Sequence, residues 1–74
     1  MADHSLDLKG LKCPLPALRT RKALRALAPG DRLLVICTDP LAVIDIPHLI
    51  NQTGDLIEST AREGDQIAFT IRKA

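Results

Sequence analysis

Cys13 has sequence neighbours that favour a reactive thiol. In the stretch KGLKCPLPALRT, Cys13 follows Lys9 and Lys12 and precedes Pro14 and Pro16. We predict that Cys13 is the N-cap of a helix, with Pro14 at the first helical position, where a missing N–H costs nothing. The positive end of the helix dipole and the two lysines favour the thiolate, the form that attacks sulfur. The pattern therefore predicts an exposed nucleophilic sulfur, with a cysteine merely tolerated at a cap as the alternative.

The prolines also limit how firmly the helix start holds the sulfur. Pro16 would occupy the third helical position, so the Leu15 N–H is the donor left for a capping side chain. A stiff turn with a lightly held sulfur lets that sulfur point outward. Leu15 and Leu18 fall outside the main buried face of the helix. They either form an apolar contact beside the sulfur or pack against the loop that follows the preceding strand.

The other cysteine and the two histidines could also react or bind a metal, but structural roles explain them. Cys37 lies in the apolar run RLLVICT, so we predict a buried structural thiol, with a redox partner for Cys13 as the alternative. His48 is expected on a helix surface and His4 in a loose terminal segment. These cysteines and histidines show no C-x₂₋₄-C pairing or other clustered spacing, so we expect no metal and no cofactor.

Basic side chains concentrate around Cys13. Residues 1–30 carry six basic and two acidic side chains, whereas residues 31–74 carry four and seven. The side of the predicted helix that we call the basic face consists of Arg19, Arg21, Lys22 and Arg25. It is either a plain solvated face, a docking surface for an acidic protein, or a nucleic-acid surface. Because Trp and Tyr are absent and Phe69 is the lone aromatic residue, no stacking platform exists and we expect no direct nucleic-acid binding.

Hydrophobic periodicity and turn residues define the elements that must position Cys13. Alternating or unbroken apolar residues predict four strands, at 5–9, 32–38, 56–62 and 66–73. Helical spacing of apolar residues predicts a first helix at 14–28. A turn begins at Asp39, and Asp45 caps a second helix that ends before Gly54.

The element order β-α-β-α-β-β predicts an α/β (α+β) two-layer sandwich, with two helices packed on one face of a four-stranded mixed sheet. Strands one and two, joined through a helix, are expected to be parallel, and the last two to form an antiparallel hairpin. The strand order stays open. We expect residues 1–74 to form a single domain, monomeric and cytoplasmic with free thiols. Neither a secretory signal nor a run of roughly 18 apolar residues occurs, so no membrane association is expected.

Sequence elements at family spacing carry a resemblance that covers nearly the whole chain. GLKCPLP comes first, then Pro-Gly-Asp before the second strand, then TDPLAVIDIP, and finally FTIRK. Over residues 6–73 the chain resembles the TusA/SirA-like family of small sulfur-carrier proteins. This resemblance implies a βαβαββ two-layer fold and a persulfide relay through Cys13. It also implies that Asp45, together with Pro14 and Pro16, shapes the site.

In such a relay, Cys13 would accept sulfane sulfur from a cysteine desulfurase or rhodanese-type donor and pass it to a downstream acceptor protein. Family outlets include tRNA thiolation, molybdenum cofactor assembly and sulfur oxidation, and the sequence does not choose among them. We expect partners to bind at Lys12, Leu15 and the basic face. Where many relatives carry a second cysteine shortly after DIP, this chain has Ile50, so the relay would run through Cys13 alone.

Two other functions stay open as alternatives. A non-catalytic interaction or regulatory module would use the basic face of the first helix and leave the cysteine incidental. A thiol redox protein would use Cys13 and Cys37 together. Because the chain shows no signature of a small-substrate pocket and no general acid, the carrier interpretation describes a sulfurtransferase-type shuttle rather than a stand-alone catalyst.

Overall fold

Six elements follow one another in the predicted order. The structure, a computed structural model, describes residues 3–12 and 14–74. Its elements are β1 (Asp3–Leu8), α1 (Leu15–Arg25), β2 (Arg32–Cys37), α2 (Ala42–Thr53), β3 (Leu56–Glu63) and β4 (Gln66–Arg72). The predicted α+β fold, with two helices packed on a four-stranded mixed sheet, is confirmed.

The four strands are ordered β1-β2-β4-β3 in the sheet. β1 and β2 are parallel, as predicted, while β4 runs antiparallel to both of its neighbours. β4 lies inside the sheet because its alternating side chains Ile67, Phe69 and Ile71 are all buried, at 1% exposure or less. β3, whose side chains are almost all exposed, takes the edge. The structure thereby supplies the strand order that the sequence left open.

The core lies between the sheet and the two helices. Its buried side chains include Leu8 from β1, Leu24 from α1, Leu33 and Val35 from β2, Ile46 from α2 and Phe69 from β4. Burying an aliphatic or aromatic side chain contributes about 1.5–3 kcal/mol relative to exposure, which matters most in a chain this short. This packing fixes both helices against the sheet and so determines where their N-terminal ends lie.

α2 begins earlier than the sequence indicated. The Asp39 side chain accepts a hydrogen bond from the Leu41 N–H at 3.1 Å, and the Asp39 carbonyl accepts one from the Ala42 N–H at 3.0 Å. This turn leads directly into the helix, so the predicted cap at Asp45 is wrong. Asp45 lies in the first turn of α2, where its N–H donates to the Leu41 carbonyl at 2.9 Å. The turn and the helix, predicted as separate, form one unit.

β1 also begins earlier than predicted, at Asp3. Its parallel pairing with β2 aligns Asp3 with Arg32 and so extends the strand toward the N-terminus. The prediction that His4 belongs to a loose terminal segment is therefore wrong. His4 Nε2 lies 3.5 Å from Asp31 Oδ2, just before β2.

α1 is shorter than the predicted 14–28. It ends at Arg25, and the chain continues in a turn closed by a hydrogen bond of 3.2 Å from the Leu27 N–H to the Leu24 carbonyl. With 11 and 12 residues, α1 and α2 are each too short to cross a membrane, and the described part of the chain holds no longer helix.

Candidate functional site at the helix N-terminal ends

The segment that leads into α1 carries the candidate sulfur site. Cys13 lies outside the described residues, whereas its chain neighbours Lys12 and Pro14 are described and both are exposed. The N-cap of α1 is Pro14, so the helix begins at Leu15 and Pro16 occupies its second position. The predicted helix start is therefore one residue too early. The Leu15 N–H donates to the Lys12 carbonyl at 2.8 Å, so this donor is not left for a capping side chain.

Two loops meet at the same edge of the sheet. Because β1 and β2 are parallel, their carboxyl-terminal ends and the loops that follow them lie side by side. The Gly10 N–H donates to Thr38 Oγ1 at 2.9 Å and ties the loop before α1 to the loop before α2. Gly10 has a φ of 81°, a left-handed conformation that favours glycine. The N-terminal ends of both helices consequently lie at this edge, where their dipoles place partial positive charge.

Exposed apolar side chains gather at these helix ends. Among the described residues, five of the seven large apolar side chains that are exposed form what we call the apolar patch: Leu15, Leu18, Leu41, Val43 and Ile44. Leu18 is 53% exposed, which does not fit the alternative that it packs against the loop after β1. An exposed apolar cluster of this kind commonly marks a protein-binding surface.

A cavity of about 250 Å³ opens between the beginnings of α1 and α2. α1 lines it with Pro14, Ala17, Leu18 and Arg21, and α2 with Asp45, His48, Leu49 and Gln52. Asp45, which is half-buried, thus lines the same cavity as Pro14. Because it lies in the first turn of α2, its carboxylate also offsets part of the positive end of the helix dipole.

His48 lies on the exposed surface of α2, as predicted, and also lines this cavity. Its Nε2 lies 3.2 Å from the Gln52 side-chain nitrogen, one turn further along the helix. The Gln52 amide nitrogen can donate to His48 Nε2 in the tautomer whose ring proton is on Nδ1. No group of three His, Cys, Asp or Glu side chains in the described residues is arranged to hold a metal ion, so His48 has no such companions there.

Cys37 is sealed inside the core. Its side chain is 0% exposed and its thiol is free. Burial, with a smaller contribution from the nearby Asp39, raises the pKa of the Cys37 thiol to about 11. The prediction of a buried structural thiol is confirmed. Ile50, where the family resemblance led us to look for a second cysteine, is buried as well.

Five basic side chains on and before α1 are exposed and form no ion pair among the described residues, whereas Lys9 Nζ lies 3.8 Å from Asp7 Oδ2. The set comprises Lys12, Arg19, Arg21, Lys22 and Arg25. Within residues 3–12 and 14–74, none of the five forms an ion pair. By contrast, Arg32 and Arg72 both pair with Glu58, at 2.8 and 3.7 Å. Binding a partner's carboxylates would therefore break no ion pair of these five side chains among the described residues.

Comparison with known proteins decides the family. The family model described as Sulfurtransferase TusA matches residues 4–73. This chain belongs to the TusA sulfurtransferase family. The curated sulfur carrier protein TusA of Allochromatium vinosum is 43% identical over 72 residues, which cover 97% of this chain and 95% of that protein. The family resemblance drawn from the sequence motifs is thereby confirmed.

The TusA-family fold brings some of the predicted site residues together and separates others. Pro14, Arg21 and Asp45 line the cavity between the helices, whereas Arg19 and Lys22 lie on α1 outside it. Sequence reasoning missed Thr38, because its hydrogen bond spans 28 residues of chain and leaves no local signal. It also missed the pairing of Gln52 with the histidine one turn earlier, although their i, i+4 spacing on a helix was a usable signal.

Proposed function

We propose that this TusA-family chain is a sulfur carrier whose reactive atom is the Cys13 sulfur. It accepts sulfane sulfur as a persulfide from a cysteine desulfurase or rhodanese-type donor and passes it to an acceptor protein. One observation carries the choice of residue: Cys37 is sealed in the core, whereas both chain neighbours of Cys13 are exposed beside the start of α1. The relative from Allochromatium vinosum is a sulfur carrier protein by name, which supports the same role here.

Each transfer exchanges one sulfur–sulfur bond for another. The Cys13 thiolate attacks the outer sulfur of the donor's persulfide, a bond forms between these two sulfurs, and the donor's sulfur–sulfur bond breaks. The donor cysteine leaves as a thiolate, so no net oxidation occurs. In the second transfer the acceptor's thiolate attacks the outer sulfur carried by Cys13, and Cys13 leaves as a thiolate.

Positive charge at the helix N-terminal ends would favour both steps, because the proposed reaction uses the Cys13 thiolate before loading and an anionic persulfide afterwards. Each helix N-terminal end stabilises a nearby anion by about 0.3–1 kcal/mol at an exposed position. Lys12, which is exposed, adds a positive charge one residue away in the chain. Pro14 and Pro16 restrict the backbone of the segment that follows Cys13.

Partner docking would use two surfaces that adjoin the start of α1. The basic face and Lys12 attract an acidic partner surface and speed the encounter. The apolar patch, which includes Leu15, then contributes buried apolar area. Whether the sulfur enters tRNA thiolation, molybdenum cofactor assembly or sulfur oxidation depends on which acceptor fits these surfaces.

Persulfide loading tests this function directly. The protein is incubated with a cysteine desulfurase and cysteine, and its mass is measured with and without reductant. We expect a reductant-labile gain of one sulfur atom per chain, which Cys13→Ser abolishes and Cys37→Ala keeps. No gain would favour a module that only binds partners through the basic face. A loss of two hydrogens that requires both cysteines would favour a redox protein.

A further inference from the structure

α1 and α2 enclose one continuous groove. The cavity of about 250 Å³ beside Pro14 adjoins a second cavity of about 280 Å³ nearer the ends of the helices. Arg21, Leu49 and Gln52 line both cavities, so the two adjoin along the helix pair and together form the groove. The second cavity extends as far as Lys73. The groove therefore leads from the chain neighbour of Cys13 to the opposite end of the helix pair.

The groove has the length of a short extended peptide. The part of α1 that lines it, from Pro14 to Arg25, spans about 16 Å at about 1.5 Å per residue. A peptide in extended conformation rises about 3.3 Å per residue and covers this distance with about five residues. Leu49, which is buried, lies where the two cavities meet and offers an apolar contact near the middle.

Positive charge runs along this groove. The N-terminal ends of both helices lie at one end, and their dipoles are positive there. Arg21 lines the middle, while Arg25 and Lys73 line the far part. In the part of the chain that the structure describes, neither Arg21 nor Arg25 forms an ion pair. Both arginines are therefore free to bind carboxylates in the groove.

Two carboxylates also line the groove, and they do not cancel this charge. The Asp55 side chain is 1% exposed and accepts hydrogen bonds from Thr53 Oγ1 at 2.8 Å and from the Ala74 N–H at 2.9 Å. It also lies 3.8 Å from Lys73 Nζ, so its charge is already met by its neighbours. Asp45 lies at the near end of the groove and would repel a carboxylate placed there.

We infer that this groove binds an extended acidic segment of the sulfur-transfer partner, with the segment's reactive cysteine at the Pro14 end and its carboxylates opposite Arg21 and Arg25. The inference rests on the proposed function, because Pro14 is the chain neighbour of the sulfur-carrying Cys13. Arg21 lies about 10 Å beyond Pro14 along α1, which places the first carboxylate about three residues from the reactive cysteine. Repulsion by Asp45 disfavours a carboxylate any nearer.

Two other occupants fit less well. RNA would bring phosphates, but Phe69, the one Phe, Tyr or Trp residue of the chain, is fully buried, so the groove offers bases none of these three rings on which to stack. A second copy of this chain would bring the acidic turn at 63–65, which holds no cysteine. A cysteine-bearing segment of the partner brings both the negative charge and the reactive sulfur.

Disulfide exchange with short peptides tests this inference without any persulfide. The probes have about five residues, with a terminal cysteine, a central leucine and two distal glutamates, made in both chain directions. Each is activated as its thionitrobenzoate disulfide, and matched peptides carry glutamines instead. The Cys13 thiolate attacks the peptide's cysteine sulfur, a mixed disulfide forms, and thionitrobenzoate leaves as a coloured thiolate. Every protein carries Cys37→Ala, so that Cys13 is its one thiol.

We expect the glutamate peptide to react about tenfold faster than the glutamine peptide at low ionic strength, with the advantage shrinking as salt is added. Rates are normalised to hydroxyethyl thionitrobenzoate disulfide, which carries the same aryl carboxylate but no peptide charge, and this corrects for changes in the reactivity of Cys13. Arg25→Glu should remove the advantage. Arg25→Gln should reduce it without placing a negative charge at the end of a helix. Arg62→Glu, the same charge change on β3, should keep it.

Equal rates for the glutamate and glutamine peptides would overturn the inference. The inference would also be overturned if Arg19→Glu removed the rate advantage of the glutamate peptide as fully as Arg25→Glu does. Arg19 lines neither cavity, so the effect would then belong to the basic face as a whole. An RNA oligonucleotide that blocks the reaction better than free glutamate peptide, or a dimer that Arg25→Glu dissociates, would assign the groove to another occupant. Persulfide loading is measured separately. If the protein loads sulfur but does not prefer the glutamate peptide, the groove proposal is rejected. If it prefers the glutamate peptide but does not load sulfur, the sulfur-carrier proposal is rejected.

Discussion

The Gly10 N–H donates a hydrogen bond of 2.9 Å to Thr38 Oγ1, and this contact joins the loops that precede α1 and α2. Thr38→Val keeps the shape of the side chain and removes the acceptor. We expect the free energy of unfolding to fall by about 1 kcal/mol and amide exchange at Gly10 to accelerate. Urea unfolding and hydrogen exchange measure the two effects.

Thr60→Val is the matched control for this substitution, because Thr60 is exposed on the edge strand β3. It should change neither quantity appreciably. If Gly10 exchanges equally fast in the Thr38→Val and unmodified proteins, the hydrogen bond does not hold the two loops together.

Cys37 gives the stability of the fold a defined response to alkaline pH. Burial and Asp39 raise the pKa of the Cys37 thiol from 9.0 to about 11. The unfolded thiol therefore ionises first as pH rises. The contribution of the neutral buried thiol is complete below pH 9.0 and is lost progressively toward pH 11. Urea unfolding at a series of pH values measures this loss.

Cys37→Ala is the control for the alkaline response, because it removes the ionising group. The difference in unfolding free energy between the two proteins should shrink or change sign across this pH range. A constant difference would show that the Cys37 thiol ionises as easily in the folded protein as in the unfolded one.

Asp45 stabilises the start of α2 and limits the positive charge of the groove. Asp45→Asn keeps its size and removes its charge. We expect the free energy of unfolding to fall by about 0.3–1 kcal/mol at low salt, because the helix dipole loses a favourable partner. The glutamate peptide should react faster, because a repelling charge at the near end is gone. Glu63→Gln, at the end of β3, should alter neither, and a slower peptide reaction in Asp45→Asn would contradict the assigned orientation.

The apolar patch is expected to matter for partner binding and hardly for folding. Ile44 is 66% exposed, so Ile44→Ser should change the free energy of unfolding by less than about 0.5 kcal/mol. The Ile44→Ser protein should bind a cysteine desulfurase about tenfold more weakly in calorimetry if the Ile44 side chain lies at the centre of the interface. Leu24→Ala, in the core, should instead cost about 2–5 kcal/mol of stability.

Leu56→Ser is the matched control for the apolar patch. Leu56 is 56% exposed but lies on β3, away from the helix N-terminal ends. Its replacement should leave the affinity for the desulfurase unchanged. Equal affinities of the unmodified, Ile44→Ser and Leu56→Ser proteins for the desulfurase would exclude the apolar patch from the interface.

The types and order of the elements were readable from the sequence because their signals are local. The alternation of Ile67, Phe69 and Ile71 marks a strand with one buried face, and all three side chains are buried. Boundaries were less accurate where two local signals compete. Asp39 and Asp45 are both good helix caps, and the sequence favoured the second, whereas the turn at Asp39 leads directly into α2.

Tertiary structure alone decided which residues meet. Pro14 and Asp45 line one cavity because α1 and α2 pack side by side on the same face of the sheet. β4 lies between β2 and β3, an order that the alternation of Ile67, Phe69 and Ile71 does not reveal. A sequence pattern shows that a side chain will be buried, but not against which partner. The reason is physical: the free energy of burying apolar surface depends on the area removed from water and has almost no directional preference.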